Sequence, residues 1–87
     1  MYDDDLFRAL PQAEDLRHYI ERGRPVNHFL TAVLENDLMA AFARADAGNK
    51  AALENYLIWL KSYAPIAAYG GAENVAAWIA RGGIEGR

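Results

Sequence analysis

The spacing of apolar residues is most regular over 49–65, NKAALENYLIWLKSYAP. A helical period places Leu53, Leu57, Leu60 and Ala64 on one narrow face, widened on one side by Ala52, Tyr56, Trp59 and Tyr63. Glu54, Asn55, Lys61 and Ser62 take the opposite side, with Ile58 alone among them. The apolar arc of about 160° exceeds the roughly 100° stripe of an ordinary surface helix, which predicts neighbours on two sides. Pro65 ends or kinks this helix, and Asn49 is its expected N-cap after Ala47-Gly48 closes the helix before it.

The same period predicts further helices. Gln12 to Glu21 places Leu16, Tyr19 and Ile20 inward and meets Gly23 at the expected C-terminal stop. Asn27 is placed to cap the next helix. One continuous helix over 28–46 would set Asp37 and Arg44 within an apolar face. Two helices, 28–35 and 38–46, remove that conflict, with a break at Asn36-Asp37 and Asp37 as the second N-cap. The second stripe is then Leu38, Ala41, Phe42 and Ala45. Ile66 to Gly71 reads as a loop, and Ala72 to Arg81 as a last helix through Val75, Trp78 and Ile79, stopped by Gly82. No strand alternation or internal repeat is visible. The expected fold is all-α: a compact bundle of four to five short helices around a central helix at about 50–64.

Residues 1–82 read as a single helical domain. Residues 1–11 are expected as a loosely docked acidic arm, with Asp3, Asp4 and Asp5 favourable at the start of a turn through Leu6, Phe7 and Leu10. Ile84-Glu85-Gly86-Arg87 is the recognition sequence of the factor Xa protease, so 83–87 reads as an expression-tag remnant outside the functional chain.

Composition narrows the chemistry. The chain has 87 residues, 53% of them hydrophobic and 24% charged, which argues against disorder. It contains no cysteine, hence no disulfide, thiol nucleophile or thiolate metal site. There is neither a long apolar run nor a secretion leader, so the expectation is a soluble, non-secreted protein without a membrane role. The net charge of −3 argues against nucleic acid. The one basic cluster, Arg17, His18, Arg22 and Arg24, is interleaved with Glu14, Asp15 and Glu21.

Catalytic signals are missing from the pattern. His18 and His28 are ten residues apart, not at metal-ligand spacing on one helix. Ser62 and Thr31, the only hydroxyl residues of their types, lie outside any nucleophile-elbow pattern. Gly70-Gly71 before a helix is a weak anion-binding signal and reads as a turn. No catalytic residue, cofactor or metal is expected.

Two features remain. Asn36-Asp37 interrupts an apolar run, which reads first as a helix break and second as a polar partner contact. Tyr56, Trp59, Tyr63, Tyr69 and Trp78 crowd the C-terminal half. Most such rings are core, yet a small domain has little interior, and Trp and Tyr are enriched at interface hot spots. Ile58, Trp59 and Tyr69 are the expected patch, with Asn36 and Asp37 as further partner-binding residues.

The order RHYIERGRPVNHFLTAVLENDLMAAFARAD, NKAALENYLIWLKSYAP and YGGAENVAAWI resembles a group of short phage- and prophage-encoded proteins of unknown function. The matching positions are Tyr19, Ile20, Gly23, Pro25, Phe29, Leu30, Ala32, Val33, Leu34, Asn36, Asp37, Leu38, Ala45, Asp46 and Trp78, within roughly 15–80. The acidic N-terminus departs from the pattern. The resemblance implies a mobile-element setting in a bacterial cytoplasm and transfers no activity.

Together these readings point to a non-enzymatic accessory protein that docks onto another protein, of host or phage. Inhibition of a host or defence protein, in the manner of an anti-CRISPR, is one form this could take. The alternatives are a helix-turn-helix-like nucleic-acid binder turning at 36–37 and a homo-oligomeric structural protein. Against the former, 38–46 carries one cation, Arg44, between Asp37 and Asp46.

Overall fold

A computed structural model of the chain describes residues 2–86. Within them the fold is all-α: α1 (Asp5–Arg8), α2 (Ala13–Arg22), α3 (His28–Leu34), α4 (Leu38–Arg44), α5 (Ala47–Tyr63) and α6 (Ala72–Arg81), with a 3₁₀ turn at Ile66–Ala68 before α6. The molecule measures 36 × 28 × 18 Å. Its thin dimension matches two layers of helices packed about 8–10 Å apart.

Local chemistry sets most boundaries. Asn27 accepts a 2.9 Å hydrogen bond from the Leu30 amide and opens α3. Gly23 and Gly82 end α2 and α6 in left-handed conformations. Between α3 and α4 the Asp37 amide reaches back to the Ala32 carbonyl (2.9 Å) and the Asn36 amide to Val33 (3.1 Å), with Asn36 at φ 63°. This is a Schellman stop, in which asparagine tolerates the left-handed position. Asp37 then caps α4 by accepting from the Ala40 amide at 3.2 Å. The predicted pair of helices and the break between them are both present.

The start of α5 differs from expectation. Asp46, not Asn49, is the N-cap, accepting from the Asn49 amide at 2.8 Å. Ala47 and Gly48 therefore form the first turn of α5 rather than the end of α4. Asn49 is freed for the interior, where its Oδ1 accepts from the Tyr56 hydroxyl at 3.0 Å. That hydroxyl in turn accepts from the Gln12 amide at 3.0 Å, anchoring the start of α2 to α5. The buried face of α5 is Asn49, Ala52, Tyr56, Trp59 and Leu60, while Leu53 and Leu57 are only half-buried. Ala64 turns extended directly before Pro65, which ends the helix. The most enclosed helix is α3, with Phe29, Leu30, Ala32, Val33 and Leu34 all buried.

Both ends of the described chain are more firmly held than the sequence suggests. The expected loose arm contains α1, capped by Asp4 accepting from the Leu6 amide at 2.7 Å. Phe7 and Leu10 are buried in the common core. The Phe7 ring centroid lies 4.9 Å from that of Trp59, and Tyr2 stacks on Trp59 at 6.1 Å. Apolar burial outweighs the solvation of the neighbouring aspartates, which stay at the surface, so the arm is core rather than appendage.

The sequence sets 83–87 apart from the domain; the described part of that tail is built into it. The amides of Ile84 and Glu85 donate to the carbonyls of Ile20 (3.0 Å) and Glu21 (2.9 Å), and Gly83 is buried. A Cβ on Gly83, at φ 72°, would lie 2.5 Å from the Arg22 nitrogen. Only a glycine permits this approach. The packed unit thus runs to Gly86; Arg87 and Met1 lie outside the described residues.

Candidate interaction surface

The residue sequence of α4, LMAAFAR, sorts its side chains by size. Ala41 is fully buried, and Ala40 and Ala45 are half-buried, on the side that packs against α3. Alanines let the two helix backbones approach closely. The larger residues turn outward: Leu38 is 42% exposed, Phe42 57% and Met39 85%. With Ala43, also exposed, they form an unbroken apolar arc. Of the expected stripe of Leu38, Ala41, Phe42 and Ala45, Ala41 and Ala45 face the core while Leu38 and Phe42 are exposed.

Charge borders the arc. The Lys50 ammonium sits 4.8 Å from the Phe42 ring centroid, a favourable cation–π contact. Asp37, the cap of α4, and Arg44, its last residue, line a cleft of ≈ 160 Å³ between α3 and α4 together with His28, Thr31 and Glu35.

The predicted partner residues are distributed differently. Trp59 is fully buried, packed against Phe7, Tyr2 and Tyr63, so it is removed from any surface patch. The arm that covers it comes from the start of the chain, remote in sequence, which helical periodicity alone does not register. Ile58, its neighbour, is 44% exposed but isolated among exposed Ala51, Glu54, Lys61 and Ser62. Tyr69 is half-buried, its carbonyl accepting from Asn74 Nδ2 at 2.9 Å. The expected patch of Ile58, Trp59 and Tyr69 is therefore not formed. Asn36 and Asp37 are exposed at the base of α4, beside the surface that Leu38, Met39 and Phe42 make. The signal for that surface is the separation of alanines from large apolar residues around one short helix.

A second concavity, ≈ 410 Å³, lies between the N-terminal segment and α2, lined by Tyr2, Asp3, Phe7, Arg8, Ala13, Glu14 and Arg17. Its ionised groups pair with one another: Arg8 with Asp3 and Arg17 with Glu14, both at 3.9 Å. Burial pushes the Tyr2 phenol up to about 12, so it is protonated at neutral pH. Among the described residues no group of three or more His, Asp or Glu side chains could hold a metal, and no helix is long and apolar enough to cross a membrane. His18 Nδ1 lies 3.5 Å from the Arg24 guanidinium.

No protein-family model matches the chain, and no curated protein or solved structure matches it with significance.

Proposed function

We propose that this chain is a non-enzymatic accessory protein that acts by docking onto another protein through the outward face of α4. The observation that carries the reading is the exposure of Leu38, Met39 and Phe42 side by side on one helix whose small residues face inward. Burying three such side chains at an interface returns the hydrophobic free energy that folding leaves unused. The resemblance to short phage-encoded proteins supports a setting in an infected or lysogenic bacterial cell. There, occupying the surface of a host or defence protein is a function a chain of this size can perform. The net charge of −3 would steer it towards a basic partner.

The helix-turn-helix reading takes some support from the sharp α3–α4 break. The exposed residues of α4, however, are Leu38, Met39, Phe42, Ala43 and Arg44, a single cation among apolar side chains, where reading base edges calls for several amides, hydroxyls and cations.

The test is site-specific photocrosslinking in the producing cell, with benzoylphenylalanine placed at Met39 or, as control, at Ile58. A discrete adduct from position 39 and none from 58 is expected. No adduct from 39, or the same adducts from both positions, would overturn the reading.

A further inference from the structure

We infer that Met39 is a site of reversible oxidation by peroxides, and that its conversion to the sulfoxide switches off docking through the α4 face. The inference rests on the docking reading above and specifies how that surface is regulated.

Sulfur is scarce in this chain. It has no cysteine and two methionines, of which Met1 lies outside the described residues. Met39 is 85% exposed, more than any other large apolar side chain among the described residues. Both tryptophans, the other readily oxidised side chains, are buried. A two-electron oxidant reaching the described surface therefore meets an open thioether and shielded indoles. The Met39 sulfur lone pair attacks one oxygen of hydrogen peroxide as the O–O bond breaks. An S–O bond forms, and the proton on the transferred oxygen passes to the departing hydroxide, which leaves as water. Sulfur loses two electrons and the peroxide gains them.

Position turns this chemistry into a switch. On a helical projection Met39 lies between Phe42 and Ala43, inside the apolar arc. A thioether there is soft, adaptable apolar surface. A sulfoxide is a strong hydrogen-bond acceptor, and burying it without a donor weakens an interface about tenfold or more. The domain itself is spared. The buried apolar residues of the described core include no methionine, and α4 packs on α3 through alanines. Oxidation thus alters the docking face without loosening the fold, and enzymatic reduction of the sulfoxide restores it.

Hydrogen peroxide acting on the purified protein is the first test. Met39 is expected to gain about 16 Da as fast as in a short peptide of the same sequence, with the helical circular-dichroism spectrum unchanged. For the second test, benzoylphenylalanine replaces Phe42. The purified protein is oxidised, freed of peroxide and irradiated in lysate of the producing cell. The adduct formed by the reduced protein should be lost on oxidation and return after treatment with methionine sulfoxide reductase. Met39→Leu, apolar and without sulfur, should keep its adduct with or without peroxide. Met39→Gln, polar and uncharged, should lack it throughout. A rate far below the peptide's, loss of helicity on oxidation, or an equal loss of adduct in Met39→Leu overturns the inference. An adduct that survives oxidation also overturns it and leaves the docking reading standing. If the reduced protein gives no adduct from position 39 or 42, docking and its regulation fall together.

Discussion

The Tyr63 hydroxyl donates a 2.6 Å hydrogen bond to Oδ2 of Asp4, joining the last turn of α5 to the cap of α1 across 59 residues of chain. The other carboxylate oxygen of Asp4 accepts from the Leu6 amide. Asp4→Ala removes both the latch and the cap, whereas Tyr63→Phe removes the latch alone. The expected order of urea midpoints is wild type, then Tyr63→Phe, then Asp4→Ala. Equal midpoints for the two variants would show that the cap contributes nothing.

The same contact sets an acid limit. The Tyr63 hydroxyl, and after it the Leu6 amide, hold the Asp4 carboxyl below its ordinary value of 3.8. Its contribution is therefore complete above that value and lost as pH falls through the depressed one. Emission from Trp59, beneath Tyr2 and Phe7, should change over that acid range in wild type and be flatter in Asp4→Asn.

An alkaline limit follows from the tyrosines. Burial raises the phenols of Tyr19 and Tyr56, and that of Tyr2 to about 12, while the Asp4 carboxylate raises Tyr63. Each loses its proton more readily in the unfolded chain, near 10.0. Stability should hold below that pH and fall as pH climbs from there towards the folded-state values. In a Tyr69→Phe background, which leaves these four phenols, phenolate absorbance is expected to rise together with loss of helical circular dichroism, rather than before it.

The glycines at the two ends of α6 should respond differently. Gly83→Ala forces a methyl against the backbone of Arg22 at a positive φ and should cost about 1–3 kcal/mol. Gly71 is extended, at φ 169°, and a methyl there would meet nothing within 4 Å. Gly71→Ala should be neutral or stabilise by up to about 1 kcal/mol through the unfolded chain. Removing 83–87 should lower the melting temperature, since the Ile20 and Glu21 carbonyls lose their donors.

On α4 the order of sensitivity is inverted relative to side-chain size. Ala41→Leu overpacks the α3 contact and should destabilise by about 1–3 kcal/mol. Phe42→Ala, at an exposed ring, should change monomer stability by only about 0.5 kcal/mol. Chemical denaturation at dilute concentration separates the two.

What the sequence conveys is mostly local. The caps at Asn27 and Asp37, the glycine stops at 23 and 82, the break at 36–37 and the bounds of α6 each depend on a few adjacent residues, and each is where the pattern puts it. Competition between equivalent signals is not legible. Asp46 and Asn49 are both good caps three residues apart, and only the Tyr56 hydroxyl, seeking an acceptor, decides which goes inside. Nor is the partition between Ile58 and Trp59, because the rings that bury Trp59 arrive from the first turn of the chain. In α4 the period is legible and its direction is not. Amphipathicity is usually measured by hydrophobicity, and here both faces are apolar, so that close backbone approach makes the smaller one the inner face.

The Tyr19 carbonyl receives the Trp78 indole Nε1–H at 2.9 Å and the Gly23 amide at 2.9 Å, while the Tyr19 hydroxyl donates to the Ala68 carbonyl at 2.6 Å. The indole proton is therefore shielded only while α6 rests on α2. Its solvent-exchange rate, followed as a single magnetic-resonance line, is a clock for the separation of those two helices. Compared with the backbone amides inside α3, it would tell whether the last helix peels away by itself or leaves only when the whole molecule comes apart.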